Sequence, residues 1–195
     1  IPVYMPWLGK KAYDGIMAAY TAASRKNGKK YIPLIKNATQ LYVIEKGALC
    51  GVVLDGSYNL TEANYKTSLQ NMVDRVLITD KDGNQIGVVE DTAAQQKYGV
   101  VQTVYKQEDG KDAQTEAKAL LQTLEQTGSV TGCPGDSRAV SGYALIVQET
   151  TTGLFGKFYI ESDTHTFTDG KHEMALTLAF SNMMDEKEIE NQSQG

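Results

Sequence analysis

The sequence predicts an α+β fold: an antiparallel β-barrel or curled sheet with one packed helix, preceded by a small helix–hairpin α+β subdomain. Three observations support this prediction. A helical pattern and a hairpin pattern open the chain, β-rich runs separated by turn residues fill most of the remainder, and one clear helix interrupts those runs. With 195 residues, 41% of them hydrophobic, the chain can bury one good core, or one core plus a smaller subdomain.

The helix–hairpin subdomain is predicted over residues 1–56. Residues 12–26 carry apolar side chains at helical spacing, and Asn27-Gly28 ends the helix. Strand-like runs at 31–35 and 40–44 form a hairpin. Because the chain begins without Met and in apolar residues, we expect this subdomain to be part of a longer N-terminal region that the sequence lacks.

The barrel is predicted over residues 57–184, after a polar stretch at 55–67. Asp82-Gly83 is a strong hairpin signal between its first two strands. The helix is predicted over 113–126, because Asp112 is a good N-cap, an apolar stripe follows it, and Gly128 is a typical stop. The strand-like runs lie at 73–79, 85–90, 99–105, 129–132, 144–149, 155–167 and 173–180. Residues 185–195 form a polar tail, predicted to be mobile or a linker.

Composition argues against several classes of partner. The formal net charge of -5 opposes general binding to nucleic acid or to an anionic membrane surface. No apolar run approaches the roughly 20 residues that a membrane-spanning helix needs. Cys50 and Cys133 form no CxxC pattern, which predicts two unpaired thiols in a reducing compartment.

One polar cluster is a candidate for chemistry. Glu161, Asp163 and His165 alternate along a predicted strand, and His172 follows across the turn at Asp169-Gly170. Two imidazoles with nearby carboxylates can bind Zn²⁺ or support acid–base catalysis. The alternative is the polar face of a strand that buries Phe158 and Ile160 on its other side, and a hairpin brings the two histidines together without any ligand. We favour the second interpretation.

The remaining motifs indicate turns. Asp80–Asn84 fails the EF-hand pattern, since its Gly is misplaced and no closing Glu follows. Gly132–Asp136 is explained by a tight turn, and no nucleophile elbow, P-loop or complete dinucleotide fingerprint occurs. A pair of glycosidase carboxylates stays open, because Asp and Glu are plentiful. The prediction is a non-enzymatic protein with no catalytic residue, metal or cofactor.

An ordered set of segments resembles the PBSX-type tail-hub family, relatives of the late control protein D group of contractile phage tails and phage-like bacteriocins. It covers about 110 residues, slightly more than half of the chain, and helix and hairpin residues near the start also look like the family's preceding segment. The matching segments are VDRVLITDKDGNQIGVVED (73–91), Lys97–Gly99, DAQTEAKALLQTL (112–124), Gly135–Arg138, Gly142 with YALIVQE after it, TGLFGKFYI (152–160), Ser162–His165 and Asp169–Met174.

The resemblance implies tail-tube-like β-barrels assembled as a ring, usually a homotrimer, that joins the tail tube protein to the spike protein. It places the protein in the tail of a virion or phage-like particle assembled in the bacterial cytoplasm. Strands that pair between subunits would close such a ring. The candidates are the strands of Val100, Val101, Val104, Tyr105, Leu145 and Val147. The rival function is a cell-wall-binding or peptidoglycan-degrading tail module.

Overall fold

The structure, a computed structural model, describes residues 11–188, and the predictions made for residues 1–10 and 189–195 lie outside this range. Three α-helices and eleven β-strands form, most of them where the sequence predicts. They are α1 (Ala12–Asn27), β1 (Tyr31–Lys36), β2 (Gln40–Glu45), β3 (Leu49–Asp55), β4 (Glu62–Ser68), β5 (Arg75–Thr79), β6 (Gln85–Glu90), α2 (Thr92–Tyr98), β7 (Gln102–Lys106), α3 (Ala113–Ala119), β8 (Glu125–Pro134), β9 (Ala144–Glu149), β10 (Leu154–Thr168) and β11 (Lys171–Ala179).

The chain divides into two compact units, and the division differs from the predicted boundary at residue 56. Among the described residues, the first unit combines 11–65 with 127–188, and the second unit is the segment 66–126 between them. The helix–hairpin segment belongs to the first unit because β3 enters the same sheet as β9, and because the Gly47 N–H donates to Gly142 O at 2.7 Å.

The first unit holds a six-stranded sheet in the order β3-β9-β10-β11-β8-β4, with α1 and the β1–β2 hairpin beside it. Its core consists of large apolar side chains from the sheet that are at most 7% exposed. Fully or almost fully buried members are Leu54, Leu145, Val147, Leu154, Ile160, Leu176 and Leu178. Removing this apolar surface from water is the main favourable contribution to folding of the unit.

The sheet is open, so the predicted β-barrel is not found within residues 11–188. Strands β3 and β4 each have one strand neighbour and lie at opposite ends of the strand order. On β3, the Asn59 side chain accepts from the Asp55 N–H at 2.7 Å and donates to Val53 O at 3.0 Å. The Gly56 N–H donates to Gln148 O on β9, and because strand backbone groups alternate in direction, Val53 O and the Asp55 N–H face the other side, away from β9. Asn59 therefore occupies part of the edge where a closed barrel would need another strand.

The second unit is a three-stranded sheet, β6-β5-β7, with α3 packed on one face. Val76, Ile78 and Ala117 form its buried core. Helix α3 ends at Ala119, earlier than the predicted residue 126. The reason is a backbone bridge in which Val73 and Gln122 exchange two hydrogen bonds of 2.9 Å, which removes residues after 120 from the helical path.

The first part of the predicted polar tail is held against α1. We call residues 182–188 the C-terminal strap. Its Lys187 N–H donates to the buried Thr21 Oγ1 at 3.1 Å, and Glu186 pairs with Lys30 at 3.1 Å. Arg25 binds Glu188 as well. Residues 185–188 of the tail predicted to be mobile or a linker thus contact α1 and the turn after it, because their acidic side chains match the basic residues there.

Candidate functional site

A β-bulge decides how the predicted polar cluster is arranged. The pairing of β10 with β11 shifts register between Ile160 and Ser162, so Glu161 is an extra, exposed residue at the bulge. Beyond the bulge, Asp163 lies opposite Leu176 and His165 opposite Met174, both of which are core residues. The expected alignment of Glu161 with Asp163 and His165 on one polar face is therefore wrong. The last two instead continue the buried face of the sheet.

The two histidines meet as the hairpin pattern predicts. His165 Nδ1 lies 2.8 Å from His172 Nε2, and His165 Nε2 lies 3.1 Å from Ala139 O. Because a carbonyl oxygen only accepts, His165 Nε2 carries a hydrogen, and in the neutral pair His165 Nδ1 accepts from His172 Nε2. The histidine pair thus joins the β10–β11 hairpin to the segment 135–143.

Neighbouring groups hold the pair in place. Phe167 stacks on the His172 ring at 4.1 Å between centroids, and a Cβ on Gly135 would lie 2.1 Å from that ring. The Gly135 N–H also donates to His172 O at 2.7 Å. Sequence reasoning missed the part played by Phe167 and Gly135. Phe167 is two residues after His165 on β10 and shares its face, and at position 135 only glycine leaves room for the ring.

Carboxylates flank both ends of the pair. Asp163 Oδ2 lies 3.6 Å from His165 Nε2, and its Oδ1 accepts from the Ser141 N–H at 2.6 Å. Asp136 is held by the Arg138 guanidinium, whose hydrogen bonds lower the pKa of Asp136 to about 2. The positive potential of His172 contributes in the same direction, less strongly.

The arrangement suits a structural contact better than a metal centre. Zn²⁺ sites need three or four ligands converging on one point. Within residues 11–188 no group of three or more His, Cys, Asp or Glu side chains has that geometry. No helix in the same range is long and apolar enough to cross a membrane.

A groove of about 610 Å³ lies beside the segment 135–143 in the first unit. Apolar side chains of β1, β3 and the segment line it, and Lys36, Arg138 and Asp163 supply its charges. Cys50 also lines the groove, whereas Cys133 is buried in the core, and burial raises the pKa of the Cys133 thiol to about 11. Both cysteines are free thiols.

The candidate interface residues fall into two groups. Leu145 and Val147 are fully buried on β9, which lies between β3 and β10. A strand paired on both sides has no free edge, so the prediction that β9 pairs with another subunit is wrong. Strand β7 is an edge strand of the second unit, and Val100 before it and Val104 within it are 58% and 56% exposed. Val101 and Tyr105 are half-buried, and Tyr105 packs on the core of that unit.

Comparison with known proteins gives a consistent set of relatives. The model of a family described as YQBQ-like matches residues 5–179. The phage-like element PBSX protein XkdQ of Bacillus subtilis (strain 168) is 26% identical over 195 aligned residues, covering 89% of this chain and 56% of that protein. The chain therefore spans little more than half the length of this relative. The similarity confirms the predicted relation to PBSX-type proteins.

Two solved structures of tail proteins are similar to this chain. The 43 kDa tail protein of prophage MuSo2 from Shewanella oneidensis matches with a TM-score of 0.53 at 13% identity, over 76% of this chain and 50% of that one. A tail protein from Neisseria meningitidis MC58 matches with a TM-score of 0.48 at 14% identity, over 84% of this chain and 54% of that one. The likeness to the Shewanella protein shows a shared fold.

Proposed function

We propose that this chain, which belongs to the YQBQ-like family, is a structural component of a phage-type tail. In this proposal it acts as a hub or baseplate protein between the tail tube and the spike. The relation to the PBSX protein supports a place in a virion or phage-like particle. The finer assignment includes a homotrimeric ring and contacts with a tube protein and a spike protein. In this proposal the protein has no catalytic activity and works through assembly alone.

The observation that carries the proposal is an apolar row on the second unit. Leu77 on β5 pairs with Val88 on β6 and with Val104 on β7. Their side chains alternate with Val76 and Ile78, which form the core under α3, and therefore lie on the opposite sheet face. Val88 is 36% exposed and Val104 is 56% exposed. Exposed apolar rows on edge strands favour association.

The proposal is tested by the mass of the full-length protein in solution, measured by light scattering over a range of concentrations. We expect an oligomer, with a trimer as the specific expectation. A protein that stays monomeric over the whole range would contradict the hub assignment.

Two matched substitutions locate the interface. Val104→Lys adds a charge to the exposed row, and we expect it to shift the oligomer toward monomer. Tyr58→Lys is the control, because Tyr58 lies in a turn and is 89% exposed. If both variants assemble like the wild type, β7 is not part of the interface.

A second candidate function is binding to the bacterial cell wall. Phe155 is 64% exposed and borders a cavity of about 520 Å³ that Asp55, Gln148 and Glu149 also line. An aromatic face beside polar groups suits a sugar ring. Hydrogen bonds from Thr152 to the Glu149 carboxylate lower the pKa of Glu149 to about 2, so this carboxylate already has hydrogen-bond donors within the protein. Binding to peptidoglycan that is lost in Phe155→Ala would favour this function, and dye release from labelled peptidoglycan would indicate a lytic one.

A further inference from the structure

The contact between His165 and His172 has room for one hydrogen. We propose that the two histidines form an acid-sensitive latch between the β10–β11 hairpin and the segment 135–143. The latch is closed when the pair is neutral or carries one extra proton, and it opens when both rings are charged. This inference concerns the first unit alone and does not depend on the proposed function.

The number of hydrogens on the two rings decides whether the contact between them can form. With the 3.1 Å contact to Ala139 O satisfied by His165 Nε2–H, the 2.8 Å contact between the rings needs one hydrogen between two nitrogens. A first added proton keeps that bond, because one of the facing nitrogens still accepts. When both rings are imidazolium, both facing nitrogens carry hydrogens and neither can accept. The contact then becomes a repulsion between like charges.

The rings have little freedom to turn away from each other. His172 lies between Phe167, which stacks on it at 16° between planes, and the backbone of Gly135. The side chain of His165 is 15% exposed and is anchored by Ala139 O. Relief of the repulsion therefore requires a displacement of the segment 135–143 or of the hairpin.

Two carboxylates lie near the pair. Asp163 faces His165 Nε2 at 3.6 Å, and Asp136 lies on the segment that the latch holds, bound to Arg138. They do not remove the conflict between two facing N–H groups, because each carboxylate is bonded to another group, Asp163 to the Ser141 N–H and Asp136 to Arg138.

The other titratable groups nearby point elsewhere. Asp169, Lys171 and Glu173 line a separate cavity with Thr166 and Thr168, which alternate with His165 and Phe167 along β10. Glu161 is exposed at the bulge. On β8, the Cys133 sulfur is directed to Thr131 O at 3.7 Å.

Opening of the latch would expose one end of the first core. Ala139 is fully buried and belongs to that core, and Val140 and Tyr143 line the groove of about 610 Å³. Because Ser141 and Gly142 also donate to Asp163 Oδ1 and Ile160 O, the displacement is confined to residues 135–140, where it uncovers apolar surface and widens the groove. Acid would make this surface available, whereas neutral pH would keep it covered.

The test is hydrogen exchange at the amide of Gly135, which donates to His172 O across the latch. It is measured by NMR between pH 8 and pH 5 and corrected for the intrinsic exchange rates. Free histidines titrate near pH 6.5. Below this pH the open state binds one proton more than the closed state, so we expect the opening constant to rise by up to about tenfold per pH unit. His172→Gln keeps an N–H donor but takes no second charge, and its opening constant should stay nearly flat.

Two results would overturn the latch. One is an opening constant in the wild type that does not change with pH, or that rises equally in His172→Gln. The other comes from the wild type alone and covers the case in which the variant does not fold. If ¹⁵N shifts show both rings charged while the Gly135 amide, which donates to His172 O, keeps its protection, the second proton does not open the contact.

Discussion

Leu145 and Val104 give the sharpest test of the structure. The sequence predicts an interface role for both residues, whereas the structure places the first in a core and the second on a surface. Leu145 is fully buried in the first core, whereas Val104 is 56% exposed on β7. Leu145→Ala removes three buried carbon atoms, which at roughly 0.8 kcal/mol per buried CH₂ loses about 2.4 kcal/mol of transfer free energy. The cavity left behind raises the expected loss of unfolding free energy to about 3–4 kcal/mol.

The assay is urea denaturation followed by circular dichroism, with Val104→Ala as the matched control. At a protein concentration at which no oligomer forms, we expect the control to change the unfolding free energy by less than about 0.5 kcal/mol, as is usual for exposed positions. Because the chain has two compact units, the transition assigned to the first unit is the one that should move. A loss below about 1 kcal/mol in Leu145→Ala would refute the central position of β9 in that core.

Further predictions concern a buried acid, a thiol and the C-terminal strap. Asp74 is 1% exposed and accepts from the Val101 N–H at 2.9 Å. Asp74→Ala leaves that donor unpaired and should destabilise the second unit by about 1–3 kcal/mol, and Asp74→Asn by less, in the same denaturation assay. Because burial raises the pKa of Cys133 to about 11, iodoacetamide at pH 8 should label Cys50 and spare Cys133, and mass spectrometry showing equal labelling would contradict this. Arg25→Ala should speed hydrogen exchange of the strap amides, an effect that high salt should imitate in the wild type; unchanged exchange would show that the ion pairs do not hold the strap.

Local patterns were sufficient where neighbouring residues alone determine the structure. Helix α1 ends at Asn27, as the Asn27-Gly28 signal predicts, and Gly28 has the left-handed φ of 73° that such a stop requires. Strands β6 and β9 have the predicted bounds, because each is a short apolar run between turn residues. These elements need no information from distant parts of the chain.

Tertiary contacts explain the elements that local patterns missed. Strand β4 reads as a polar stretch because Glu62, Asn64 and Lys66 are exposed, and its strand state depends on pairing with β8. The apolar stripe after Ala119 continues at helical spacing, yet the bridge between Val73 and Gln122 takes that segment into a different path. Only the partner strand reveals such pairings.

The bulge at residues 160–162 is a feature of the candidate site that the local sequence pattern does not reveal. Strict alternation along β10 predicts that Glu161, Asp163 and His165 share a polar face. One extra residue reverses that assignment and turns the last two toward the core. The proximity of His165 to His172 is still correct, because beyond the bulge His172 lies opposite Phe167, two residues along β10 from His165.

The free edge strands of the two sheets indicate which unit is expected to contact another subunit. In the first unit, the Asn59 side chain binds part of the β3 edge, and β4 presents charged side chains, both of which are features that oppose edge-to-edge pairing. In the second unit, β6 and β7 are edge strands that expose Ile86 at 52% and Val104 at 56%. Exposed apolar residues on unprotected edges are unfavourable in an isolated chain and become favourable when a partner covers them. Contacts between subunits are therefore expected at the second unit, and Val104→Lys is the substitution that should weaken them first.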